Sequence, residues 1–243
     1  MLWGSIAAVL LAGWLIGATG IGGVLVVPVL NQLQGVPLPQ AIAAASVAFA
    51  LPGLAAAWRW RRAGAHAAGP TLALVLAAIP GAAAGALLVH HVAVDVLLAG
   101  LAALALGSGL WGLRPQDGRA AAPELGVPAY AVLGALVGLG SALTGTGGPV
   151  LLVPLLMLAR QPLRNTLPAA QAIQLPVALC AGAGHAWSGA LDLRLALPLG
   201  CVLLAGALAG QWAAPRTPVI ALHRLVCALL ILTGGWFAWR LLA

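Results

Sequence analysis

Apolar residues run almost unbroken through eight stretches of this chain, at residues 2–33, 38–58, 70–91, 94–113, 128–159, 168–188, 194–213 and 219–241. Each reaches the roughly 20 residues with which a helix crosses about 30 Å of hydrocarbon. The stretches are continuous and rich in Ala, Leu and Val, whereas barrel strands alternate in polarity over about ten residues. The pattern predicts an all-α, polytopic transmembrane bundle. Its longest polar interruption is Arg114–Val127, with Pro115, Asp117, Arg119, Pro123 and Glu124. This reads as a linker (114–127) between two membrane units, 1–113 and 128–243.

The two units resemble each other. Thr19, Gly20, Gly22 and Gly23 recur 125 positions later as Thr144, Gly145, Gly147 and Gly148. Pro28 and Pro154 follow, and Pro39, Gly53 and Trp58 recur 129 positions later as Pro168, Gly182 and Trp187. Gly81 and Gly85 match Gly206 and Gly210, again 125 apart. This is the signature of a duplicated four-segment unit, the first segment of each copy being broken by glycines.

Composition places the whole chain in lipid: 63% of residues are hydrophobic, 6% are charged, and mean hydropathy is +1.07. All eleven basic residues are arginines, against four acids. They are scattered at the ends of apolar stretches, which fits a bilayer partner and excludes a nucleic-acid-binding face. Cys180, Cys201 and Cys227 lie inside apolar stretches without CxxC or Cys/His spacing, so no disulfide, metal or cofactor is expected. The first stretch lacks a basic leader and runs on through Gly17 to Gly23, so a cleaved signal peptide is not expected. With eight simple crossings, Arg59, Arg61, Arg62, Arg114, Arg119, Arg194 and Arg240 share one side and Arg160, Arg164, Arg216 and Arg224 the other. The positive-inside rule then puts both chain ends in the cytoplasm. A re-entrant segment at either glycine cluster would invert the loops after it, so parallel and inverted repeats both stay open.

The glycine clusters carry the candidate chemistry. Neither Gly17–Gly23 nor Thr144–Pro149 suits a regular helix, since each glycine costs about 1 kcal/mol relative to alanine. Pro149 suits the first position of a new helix. Unwound backbone at membrane depth survives only where protein buries it or it lines a watery cavity, and paired broken helices in two repeats mark transporter sites. A helix restarting after Gly23 or Gly148 offers free N–H groups and a partial charge of about +0.5, which favours an anion. Thr19, Gly20, Gly22, Gly23, Thr144, Gly145, Thr146, Gly147 and Gly148 are therefore candidate substrate-binding residues. The competing reading is that the glycines only permit close helix crossing, which is also the reading of Gly13/Gly17, Gly81/Gly85, Gly134/Gly138 and Gly206/Gly210.

Ser46, Gln171, Gln174 and His185 lie on the segments after the breaks and are candidates for the same cavity. Gln174 and His185 are equally well explained by interhelical hydrogen bonds. The acids Asp95, Asp117, Glu124 and Asp192 all fall at loops or segment ends, so no carboxylate sits in the predicted membrane core. Cation carriers and proton relays normally place one there, which points to an anionic substrate. His185 is left as the candidate carrier of a coupling proton. A non-transporting assembly subunit of a membrane complex is the alternative, and Ser141 with His185 superficially suggests an intramembrane hydrolase. Ser141 lacks the glycine expected after such a nucleophile.

Gly20-Ile21-Gly22-Gly23 running into Val27-Pro28-Val29-Leu30, echoed by Gly145-Thr146-Gly147-Gly148 into Val153-Pro154-Leu155-Leu156, resembles the TauE/SafE family of sulfite-exporter-like permeases. Arg61-Arg62-Ala63-Gly64, Gly81 to Gly85, Gly189-Ala190-Leu191-Asp192 and Gly206 to Gly210 extend the resemblance over nearly the whole chain. It implies a multi-pass permease of the cytoplasmic membrane for sulfite or an organosulfonate, usually exporting, not an enzyme and without a cofactor. Coupling to a proton or another ion, and a homo-oligomer, are compatible with it. Val24 stands where a third consecutive glycine is common in the family, and Pro149 at its second-half counterpart.

Overall fold

In a computed structural model, which describes residues 2–62, 69–88, 93–113, 125–161, 163–187, 189 and 191–242, every element is helical. The order is α1 (Leu2–Thr19), a 3-10 turn (Gly23–Leu25), a short α2 (Val26–Pro28) passing into a π turn (Val29–Leu33), α3 (Leu38–Ala48) and α4 (Ala50–Arg62). Then come α5 (Gly69–Leu88), α6 (Val94–Gly112), α7 (Val127–Thr144), α8 (Pro149–Leu158) and α9 (Leu163–Trp187). The chain closes with α10 (Leu193–Ala213), a 3-10 turn (Ala214–Arg216) and α11 (Val219–Leu242). Among the described residues, five stretches are long and apolar enough to cross a membrane: Gln40–Arg59, Gly69–Leu88, Val127–Thr144, Leu193–Arg216 and His223–Leu242. Trp3–Thr19, Ala102–Gly112 and Pro149–Leu158 are shorter apolar helices. The linker's residues 114–124 lie outside the described residues.

Small residues decide which helices touch. A methyl group on Gly13 or Gly17 of α1 would fall on the backbone of Leu203 or Ala207 in α10, and one on Gly206 or Gly210 on Leu10 or Trp14. The same reciprocal notches join α5 to α7, where Gly81 and Gly85 meet Ala135 and Leu139, and Gly134 and Gly138 meet Leu74 and Ala78. In lipid, where burial of apolar surface gives little drive between helices, such backbone-to-backbone approach supplies the van der Waals contact that holds a pair. The notch role expected of these eight glycines is therefore what they do. The first helix of each half thus packs on a late helix of the other half.

The same contacts fix directions. Gly13 and Gly17 face Leu203 and Ala207, so α1 and α10 run parallel, and α5 and α7 do likewise. By contrast, Gly112 meets His223 and Cys227 while Gly234 meets Leu106 and Ala102, so α6 and α11 are antiparallel. Gly53 meets Leu175 while Gly182 meets Val47, so α3–α4 and α9 are antiparallel too.

Neither glycine cluster passes the helix straight on, which corrects the reading of 2–33 and 128–159 as single interrupted crossings. A methyl group on Gly22 would fall on the Ala12 carbonyl oxygen and 2.8 Å from the Ile16 nitrogen, and the π turn touches α1. The chain has therefore turned back along α1. In the same way α8 folds back on α7, with Leu151 against Gly140. These reversals re-sort the loops. The ends of α4, α6 and α10 and the starts of α5, α7, α9 and α11 lie at one face, while both chain termini lie at the other. On the first face fall Arg59, Arg61, Arg62, Arg160, Arg164, Arg216 and Arg224, and the connection carrying Arg114 and Arg119 starts and ends there. Only Arg194 and Arg240 lie on the termini's face. The seven-to-four count made with simple crossings is replaced, among the described residues, by seven to two, with the chain ends on the poorer side.

Candidate functional site

The two reversals meet. Gly20, at φ +79°, packs with Pro149, a methyl group there lying 3.3 Å from the proline Cβ, and one on Gly23 would lie 2.7 Å from the Thr146 carbonyl oxygen. Walls come from α3 and α9. Phe49, the residue that joins α3 to α4, touches Gly23 and Gly147, Ile42 touches Gly145, Ala170 touches Gly20 and Ile173 touches Gly148. Residues 15–24 and 145–150 are all buried. Gly147 and Gly148 have φ of +79° and +81°, a region closed to most side chains; a Cβ on Gly147 would lie 2.8 Å from the Phe49 ring, and one on Gly148 3.1 Å from Ile173 Cγ2.

Helices both end and begin here, so carbonyl and amide ends compete. The carbonyl ends are capped locally: the Gly20 amide donates to Ile16 O at 2.8 Å and the Gly145 amide to Ser141 O at 2.9 Å. The Thr19 hydroxyl donates to Leu15 O and the Thr144 hydroxyl to Gly140 O, each at 2.8 Å. Since the Thr144 proton is used, Thr146 is the donor in the 2.8 Å contact between their hydroxyls. Thr19 Oγ1 in turn accepts from the Ile21 amide at 3.1 Å. The three threonines expected to donate to an anion therefore spend their protons inside the turns. What remains for a ligand is backbone N–H at Gly23, Val24 and Val150, since Pro149 has none and the Leu25 and Leu151 amides donate to Gly22 O and Gly148 O at 3.1 Å.

Two side-chain atoms are left over as well. Ser141 Oγ and Gln174 Oε1 are buried without a hydrogen-bond partner, in residues 1% and 2% exposed. Ser141 Oγ lies 4.0 Å from where a Cβ on Gly148 would be. Gln174 stands one helical turn beyond Ala170, on the face of α9 that touches Gly20. An unpaired buried polar atom costs about 1–3 kcal/mol, so two of them beside one feature require an explanation.

The other expected residues divide. Gln171 Nε2 donates to Gly17 O at 3.1 Å, tying α9 to the last turn of α1. Ser46 bonds its own helix, Oγ to Ile42 O at 2.8 Å, on the face of α3 that carries Ile42 and Phe49. His185 is buried near the end of α9, next to Gly184, which packs on Ala86 of α5, the neighbour of the Gly85 that faces Leu139 and Ala142. Ser141 Oγ has no hydrogen-bond partner, so it is not paired with His185 as a hydrolase nucleophile would be. Ile42, Phe49, Ala170 and Ile173 had no signal of their own, being apolar residues in apolar helices. Among the described residues no group of three or more His, Cys, Asp or Glu side chains could hold a metal ion.

Comparison with known proteins gives one family. The model of the sulfite exporter TauE/SafE family matches residues 5–237. No curated protein and no solved structure matches the chain. The match spans both glycine reversals and all the helices that wall them, and the family is one of membrane permeases rather than enzymes. This multi-pass membrane protein belongs to the sulfite exporter TauE/SafE family.

Proposed function

We propose that this chain moves a small sulfur oxyanion, sulfite or an organosulfonate, across the cytoplasmic membrane by alternating access around the paired glycine reversals, with export the favoured direction. The observation that carries the reading is the meeting of the two reversals, Gly20 against Pro149 and Gly23 against Thr146, beside the unpartnered Ser141 and Gln174. Amides of two helix starts and a serine hydroxyl make a donor set for an oxyanion's equatorial oxygens, and no carboxylate from the described residues competes. The Gln174 amide accepts from a protonated oxyanion as drawn, or donates to a deprotonated one with its ends exchanged.

The antiparallel pairs α6/α11 and α3–α4/α9 join elements equated by the sequence repeat, which supports an inverted duplication. A two-fold axis in the membrane plane then makes inward-open and outward-open arrangements exchange the roles of the halves. Both reversals are buried in the present structure, so we assign it to the occluded stage between the two. The seven-to-two arginine split among the described residues favours the Arg59 face in the cytoplasm and both termini outside. Reporter fusions at either end are expected to be active in an extracytoplasmic-type assay and silent in a cytoplasmic one; the opposite result at both ends would reverse the orientation.

The substrate test is flux into liposomes holding the purified protein, with sulfite, sulfate, thiosulfate, a sulfonate and acetate, each with and without a pH gradient. Sulfite or the sulfonate is expected to move at least tenfold faster than acetate. Equal, protein-independent leakage of all five would leave the assembly-subunit alternative standing.

A further inference from the structure

One polar contact joins α4 to α10 at the arginine-rich face, beside the notch where α10 packs on α1. Arg59, at the end of α4, donates from Nη1 to Gln211 Oε1 on α10 at 3.1 Å. Gln211 is buried, and its backbone nitrogen lies 2.8 Å from where a Cβ on Gly17 would be. The Gly17 carbonyl accepts from Gln171, and two residues later α1 ends at the reversal. The Arg59–Gln211 pair and the Gln171–Gly17 bond thus lie on either side of one α1–α10 packing notch. Among the described residues no carboxylate pairs with Arg59, and the described acids, Asp95 and Asp192, start helices at the opposite face.

The second half does not repeat this feature. By the offsets of the duplication, Gln211 corresponds to Ala86 and Arg59 to Ser188, so the equivalent place near the other face holds no arginine, and the titratable residue there is His185, next to the Gly184 that packs on Ala86. A guanidinium has five N–H donors, of which the contact to Gln211 uses one. The others can take a planar or trigonal oxyanion in forked fashion, and Gln211 holds the fork in place.

We propose that Arg59, positioned by Gln211, is an anion-capturing site at one mouth of the pathway and that the opposite mouth lacks its counterpart, so that the two sides of the carrier differ in affinity. This rests on the transport reading given above. A charge at the mouth raises local anion concentration and weakens with salt, which a purely structural hydrogen bond does not.

The test uses the full chain in sealed vesicles of known sidedness, with sulfite flux measured from the Arg59 face at several ionic strengths. Arg59→Gln is expected to raise KM about tenfold, keep the maximal rate within about twofold and weaken the salt dependence of KM, to which the other arginines of that face still contribute, while Arg59→Lys recovers most of it. Gln211→Leu retains the charge and is expected to raise KM about threefold with the salt dependence kept. Arg240→Gln, on the other face, is expected to match wild type. An unchanged KM and salt dependence in Arg59→Gln would overturn the capture site and leave the transport reading intact. Raised KM in both variants with wild-type salt dependence would overturn it too, leaving the pair a structural contact. If wild type carries no sulfite at all, both readings fall.

Discussion

Gly17→Val is expected to remove most of the folded protein from detergent extracts. A Cβ at this position would fall on the Ala207 carbonyl oxygen and within 2.8 Å of the Ala207 carbon and the Gln211 nitrogen, all backbone atoms that cannot swing away as a side chain can. Relief requires α1 and α10 to separate, which also breaks the reciprocal contacts of Gly13, Gly206 and Gly210. Overpacking a close-packed interior ordinarily costs about 1–3 kcal/mol, and a clash with rigid backbone belongs above that range. Against a total stability of about 5–15 kcal/mol this is decisive. Yield of monodisperse protein and its thermal midpoint measure the effect. Gly100→Ala and Gly107→Ala are the controls: nothing lies within 4 Å of either added methyl, and helix propensity favours alanine by about 0.8–1.0 kcal/mol. A Gly17→Val protein as stable as those controls would remove the notches as the basis of helix pairing.

The second large effect separates function from stability. Ser141→Ala with Gln174→Leu is expected to lower sulfite flux at least about tenfold, since hydrogen bonds to a charged ligand are worth about 1.5–3 kcal/mol each. The same change removes two unsatisfied polar atoms from the interior, so the thermal midpoint is expected to rise, by about 2–4 °C per kcal/mol recovered. Opposite signs in the two measurements are the mark of a ligand site; a fall in both would make the pair structural, and unchanged flux would exclude them from the pathway. Glycine replacements discriminate less well. A side chain on Gly22 meets the Ala12 carbonyl, and one on Gly147 meets the Phe49 ring at a positive φ, so either loses fold and flux together.

Periodicity, composition and glycine placement made much of this legible. The helices, the α5–α7 and α1–α10 notches and the special backbone at Gly20 and Gly145–Gly148 follow from residues that have few physical alternatives in lipid. Whether the chain passed straight through the glycines or turned back was not legible, because hydropathy counts apolar residues and is blind to direction. The orientation count inherited that ambiguity and reversed with it. The site was half legible: glycine marks where backbone must bend, but Thr19, Thr144 and Thr146 could serve a ligand or the bend itself, and only their partners decide. Phe49, Ile173 and the Arg59–Gln211 contact needed the tertiary arrangement.

The crossed pairing of α1 with α10 and of α5 with α7 bears on biosynthesis. While a ribosome is still making the second half, the notched flanks of α1 and α5 have no matching surface and must wait in lipid, or against the insertion machinery, until α7 and then α10 emerge. Assembly is therefore a late event of the nascent chain, and damage to the last hundred residues reaches back to the first helix.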